Sequence, residues 1–154
     1  MSVPVHLTAL SPREAVTDAL YRAIYGADTN DLDMFNSALT PEIEFDLGGK
    51  IMHGAEEVRA DIFGLIGPMD TLHAISNVRV HLTDDPTKAS LTAYATNQHC
   101  RPGEGLDTAA PKYTAGVMYF MDLVKDAGDD LWKIQKWTIK FCWAQGDQSV
   151  MKRE

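Results

Sequence analysis

Two histidines and an aspartate, His73, His99 and Asp28, each interrupt a segment otherwise built for a hydrophobic core. Imidazole titrates near neutral pH, so two such rings and a carboxylate turned into one apolar cavity would make proton-transfer machinery. If Asp28 accepts the Nδ1–H of His99, Nε2 is left free as a base and the imidazolium formed after proton abstraction is stabilised. His73 would then return a proton to a leaving hydroxyl, an enolate oxygen or a carbanion. Such a site suits dehydration, double-bond isomerisation or cyclisation of a hydrophobic polyketide- or terpenoid-like molecule, the chemistry of secondary-metabolite biosynthesis. Plainer roles exist for the same residues: a strand histidine as a structural hydrogen-bonder, Asp28 as a helix terminator.

The chain that must position them has 154 residues, 45% of them hydrophobic, enough for one domain with a real core. A formal charge of −8 repels phosphate backbones and anionic membranes, and no Lys/Arg run interleaves with aromatics. Nucleic acid and membrane are therefore not expected partners. The N-terminus lacks a basic region followed by an apolar stretch, and no segment approaches the roughly 20 apolar residues that span a bilayer. A cytoplasmic protein is expected. Cys100 and Cys142 lack CxxC spacing and fall in strand-like segments, so both are expected to be reduced core residues.

Helices come first. Ser11-Pro12-Arg13-Glu14 combines an N-cap serine, a proline at N1 and a glutamate at N3, so a helix starts at Pro12. Tyr21, Tyr25 and Asp28 lie at i, i+4 and i+7 and so share a face near its end. Asn30 or Asp31 caps a short second helix that Thr40-Pro41 ends. Ile43 to Leu47 alternates as a strand, Gly48-Gly49 turns it, and Ile51-Met52 returns. A third helix runs from about Ala55 to Ile66 and stops at Gly67-Pro68. Four long strands follow, Leu72 to Leu82, Ala89 to Arg101, Tyr113 to Val124 and Leu131 to Trp143. The sequence thus predicts an α+β domain in which a curved, mostly antiparallel sheet forms a cone, with three N-terminal helices over its concave face.

Strand parity sorts the candidates. Leu91, Ala93, Ala95, Asn97 and His99 share one face that begins apolar and ends polar. In the preceding strand Val78, Val80 and Leu82 fall on one parity, while His73 and Ile75 fall on the other. A β-bulge near Ser76-Asn77 would bring both sets inward. Tyr25 or Tyr119 would supply a phenolic donor, Asn97 and Leu47 would contact substrate, and Trp137 or Phe141 would line the cavity. The segment from Pro102 to Pro111 is either a lid over the mouth or an ordinary surface loop.

The segments Ala27 to Asp33, Thr71 to Asn77, Gln98 to Arg101 and Leu131 to Ile134 together resemble the SnoaL-like branch of the nuclear transport factor 2-like superfamily, and within it the scytalone dehydratases. The resemblance runs from Ser11 to Gly146. It implies a cone that is often a homodimer through the outer sheet face and works without a metal or organic cofactor. It also implies catalytic roles for Asp28, His99 and His73. Two tyrosines of the dehydratases are matched by Ala27 and Leu47, which points to a different substrate. Two further functions share the fold: a non-catalytic small-molecule binding protein, and an epoxide hydrolase with an Asp–Arg–Asp set. For the latter, Arg101, at a strand end, is the nearest arginine.

Overall fold

The computed structural model describes residues 3–153. Helix α1 (Pro12–Asp28) begins as its capping box dictates: the Ser11 hydroxyl accepts the Glu14 N–H, and the Glu14 carboxylate accepts the Ser11 N–H at 2.7 Å. Its core face is small and apolar, Val16, Ala19, Leu20, Ala23 and Ala27, so the helix backbone can settle close to the sheet. Tyr21 and Tyr25 instead point to solvent, 48% and 42% exposed. The expected face shared with Asp28 is thus divided, because the helix sinks its alanine stripe and leaves the tyrosine stripe outside. Helix α2 (Leu32–Ser37) is capped by the Asp31 carboxylate, which accepts the Met34 N–H at 3.0 Å. Gly26 permits the close crossing of α1 and α2, since a Cβ there would lie 2.5 Å from the backbone nitrogen of Phe35.

Strand β1 (Leu39–Leu47) starts earlier than Ile43 and takes Thr40-Pro41 into the sheet, where edge-like pairing at its start tolerates proline. It turns through Gly48-Gly49 into β2 (Lys50–His53). The third helical segment is continuous but not uniform: α3 (Ala55–Val58), a π-helical turn (Arg59–Phe63) and α4 (Gly64–Ile66). Then β3 (Asp70–Leu82), β4 (Lys88–Cys100), β5 (Lys112–Lys125) and β6 (Trp132–Gly146) form an antiparallel meander, followed by a 3-10 turn, Gln148–Met151. The six strands lie in the order β2-β1-β6-β5-β4-β3, with β1 parallel to β6 and every other pair antiparallel.

Extra residues bend this sheet into the expected cone. In β6, Gln135 and Cys142 have no single partner on β5, and in β3 the register slips between Ser76 and Arg79, with Asn77 at φ +53°. The β3 bulge puts His73 and Ile75 on the same side as Val78, Val80 and Leu82, all partly buried while the residues between them are exposed. The β6 bulge has the opposite consequence for Cys142, which is exposed where a core position was expected, whereas Cys100 is buried; both thiols are free.

One buried ion pair ties the helices to the end of the sheet. Arg22 is 3% exposed; its Nε donates to Asp18 at 2.8 Å, and its other nitrogens donate to the carbonyls of Ser37 and Trp132, each at 2.6 Å. Every guanidinium nitrogen is thereby answered, the condition under which a buried arginine is tolerated. Arg22→Met should destabilise the fold by about 3–5 kcal/mol in urea titrations, because it strands the Asp18 carboxylate and two carbonyls. Gly26→Ala should cost about 1–3 kcal/mol by overpacking the α1–α2 crossing.

Candidate active site

The last residue of α1 reaches the free edge of the sheet. β3 is an edge strand, and an edge strand leaves alternate N–H groups without a ladder partner. Asp28 takes one of them: its Oδ2 accepts the backbone N–H of His73 at 2.9 Å, while Oδ1 meets His73 Nδ1 at 2.5 Å. A carboxylate between two nitrogens of one residue fixes both where the strand lies and how its ring turns. A carboxylate oxygen accepts, so in the neutral imidazole the proton sits on His73 Nδ1 and Nε2 is left as a lone pair.

Asp28 therefore pairs with His73, not with His99. His99 lies one strand further in, and its Nδ1 is already engaged by Thr71, its direct neighbour across the β3–β4 ladder, at 2.8 Å. The Thr71 hydroxyl has one proton, which it donates to the Gln98 carbonyl at 2.9 Å. It must accept from His99, so His99 also holds its proton on Nδ1 and keeps Nε2 as an acceptor. The two rings stand edge to face with centroids 5.2 Å apart, and Tyr113 stacks on the far side of His99.

Electrostatics separate the two imidazoles. Burial is the main force on His99, which is 4% exposed; protonation of His73 would act in the same direction, and Asp28 opposes both. The result is a pKa pushed down from 6.5 to about 4, so His99 is neutral at pH 7. Burial likewise pushes the Tyr119 phenol up beyond its ordinary range, with the Asn97 amide pulling it back and the Asp28 charge adding to the rise. Tyr119 is therefore a hydrogen-bond donor that does not ionise.

These groups share a cavity of about 280 Å³. His73, His99, Asn97, Tyr113, Tyr119 and Gln148 form its polar part; Phe45, Leu47, Ile62, Ile66, Val117, Ile139 and Phe141 supply apolar wall. Two wider grooves, about 750 and 620 Å³, lie outside it and contain neither histidine. Of the residues expected to contact substrate, Asn97, Tyr119, Leu47 and Phe141 line the cavity. Trp137 does not: it is buried behind the wall, against Phe45 and Tyr119 with centroids 5.0 and 5.1 Å away. Tyr25 is excluded by its solvent-facing position on α1. The segment from Pro102 to Pro111 contributes no lining residue, whereas Gln148 and Met151 of the 3-10 turn after β6 do. Arg101 is held at the strand end by Ser149 and Glu104, outside the cavity. Among the described residues no group of three His, Cys, Asp or Glu side chains is arranged to hold a metal ion.

Thr71 and Tyr113 are the site residues that sequence reasoning missed. Both were within its reach: Thr71 shares the parity of His73, and Tyr113, Ala115, Val117 and Tyr119 alternate along β5 facing the cavity.

Residues 8–138 match the family model of the SnoaL-like domain. Over 150 residues the chain is 44% identical to terrestric acid biosynthesis cluster protein E from Penicillium crustosum, covering 97% of this chain and 96% of that one. Among solved structures, a candidate scytalone dehydratase from Novosphingobium aromaticivorans DSM 12444 has a TM-score of 0.73 at 17% identity, over 87% of this chain and 86% of that chain. The hexachlorocyclohexane dehydrochlorinase LinA-type3 from Novosphingobium barchaimii LL02 has a TM-score of 0.70 at 16% identity, over 88% and 90%. At those identities the likeness is one of fold. The family match across most of the length, together with the 44% identical relative, shows that the chain belongs to the SnoaL-like domain family.

Proposed function

We propose that the protein is an acid–base lyase or isomerase, needing no cofactor, that acts on a hydrophobic polyketide- or terpenoid-like small molecule. The observation that carries this is the Asp28–His73 pair opening into an apolar cavity opposite a second, neutral imidazole. In this reading His73 Nε2 removes a proton from the carbon beside a carbonyl, and Asp28 stabilises the imidazolium. Tyr119 donates to the carbonyl oxygen as it gains charge. The imidazolium then returns its proton, to a leaving hydroxyl in dehydration or to another carbon in isomerisation or cyclisation. Roles are thus exchanged relative to the expectation from sequence: His73 is the base, and His99 holds the substrate through Nε2. The 44% identical relative's name places that relative in a biosynthetic cluster, in keeping with secondary metabolism. A homodimer belongs to the same proposal, supported by Tyr94, Phe120 and Trp143, which stand exposed on the outer sheet face.

The test is proton abstraction itself. Incubated in D₂O with 3-hydroxy-5-phenylcyclohexanone, the protein should accelerate deuterium uptake beside the carbonyl and formation of the enone, followed by NMR. His73→Ala and Asp28→Asn should each slow it by roughly 10²–10⁴-fold. Undiminished exchange in His73→Ala would exclude the mechanism.

Neutrality of His99 can be checked without substrate. Its folded pKa lies below the unfolded value of 6.5, so between pH 6.5 and about 4 the unfolded chain binds a proton that the folded chain refuses. Its contribution to stability is complete above pH 6.5 and declines as the pH falls through that window. Urea titrations at pH 7 and pH 4 should show the native protein losing about 3 kcal/mol more than His99→Asn.

A further inference from the structure

Asn97 is 7% exposed, lines the cavity, and its Oδ1 has no hydrogen-bond partner. An unanswered buried amide oxygen destabilises the fold unless a ligand answers it. Its position is specific. Asn97 faces His73 directly across the β3–β4 ladder, sits two residues before His99, and its amide neighbours the Tyr119 phenol. The polar wall therefore offers acceptors, the amide oxygen and two imidazole Nε2 atoms, beside the phenols of Tyr119 and Tyr113.

Charge limits the ligand as strongly. Among the described residues the cavity is lined by no lysine or arginine, so no permanent cation is there to neutralise an anion. The one formal charge adjoining it is the Asp28 carboxylate, whose field reaches both His99 and Tyr119. A carboxylate or phosphate placed in the cavity would lose its hydration beside the Asp28 carboxylate, with no lysine or arginine to compensate.

We infer that the cavity selects an uncharged hydroxy-carbonyl compound, with Asn97 as the specificity-determining residue that accepts the hydroxyl proton while Tyr119 donates to the carbonyl. This rests on the catalytic reading above only for the orientation of the carbonyl; the preference for a neutral hydroxyl donor follows from the cavity wall. Sites built to hydrogen-bond a ligand hydroxyl discriminate strongly against the analogue lacking it, because the protein's own polar atom is then left buried and unpaired.

Isothermal titration with three ligands of one skeleton tests it: 3-hydroxy-5-phenylcyclohexanone, 3-phenylcyclohexanone and 3-oxo-5-phenylcyclohexanecarboxylate. The hydroxy ketone should bind at least about tenfold more tightly than the deoxy ketone, and the carboxylate most weakly. In Asn97→Leu the hydroxyl preference should vanish while urea stability stays equal or rises, since an orphaned acceptor has been removed. A purely structural asparagine would give the reverse, lost stability with the preference unchanged. Tyr119→Phe should weaken both ketones alike. Binding of none of the three, equal binding of hydroxy and deoxy ketones, or tight binding of the carboxylate overturns the inference. Hydroxyl preference without deuterium exchange leaves it standing and removes the catalytic reading; exchange without hydroxyl preference does the opposite.

Discussion

The Asp28 carboxylate accepts two hydrogen bonds from a single residue, one from the backbone of His73 and one from its ring. The first answers an N–H on an open strand edge; the second orients the His73 ring. One side chain thus fastens the end of α1 to β3 and sets the chemistry of the cavity, so the geometry of the site and the docking of the helix cannot vary independently. Because the bond to Nδ1 joins two largely buried groups, it is worth more than a surface pair. Around it the remaining polar groups fall into order: Thr71 occupies His99 Nδ1, and both Nε2 atoms are left as acceptors.

The bulge in β3 is the backbone counterpart of that interaction. One additional residue at Asn77 allows a strand whose lower half is apolar on one parity to turn its upper half, with His73, to the same interior. Without it, either the valines or the histidine would face water.

Much of this was legible in the residues. The capping box located α1, alternation in β4 put Asn97 and His99 on one face, and the conflict of parity in β3 demanded a bulge where one exists. The partner of Asp28 was not legible, because it depends on strand order: only when β3 is known to be the edge does its unpaired N–H become the natural target. Tyr25 was misplaced because helical spacing defines a stripe but not which stripe is buried, and here the alanines won that contest. Cys142 was misplaced because a strand-like segment does not say which face a residue takes, and Cys142 falls at a bulge in β6.

The pairing of β1 with β6 has a consequence for how the chain reaches its native state. Strands β3 to β6 are joined to their sequence neighbours and can zip up locally, but β1 must find a strand about ninety residues downstream, and Arg22 a carbonyl 110 residues away. During synthesis α1 can meet β3 as soon as that strand is made, but β1 and Arg22 have no partner until β6 has emerged. The native sheet is therefore completed only with its last strand, and until then β1 is an open edge.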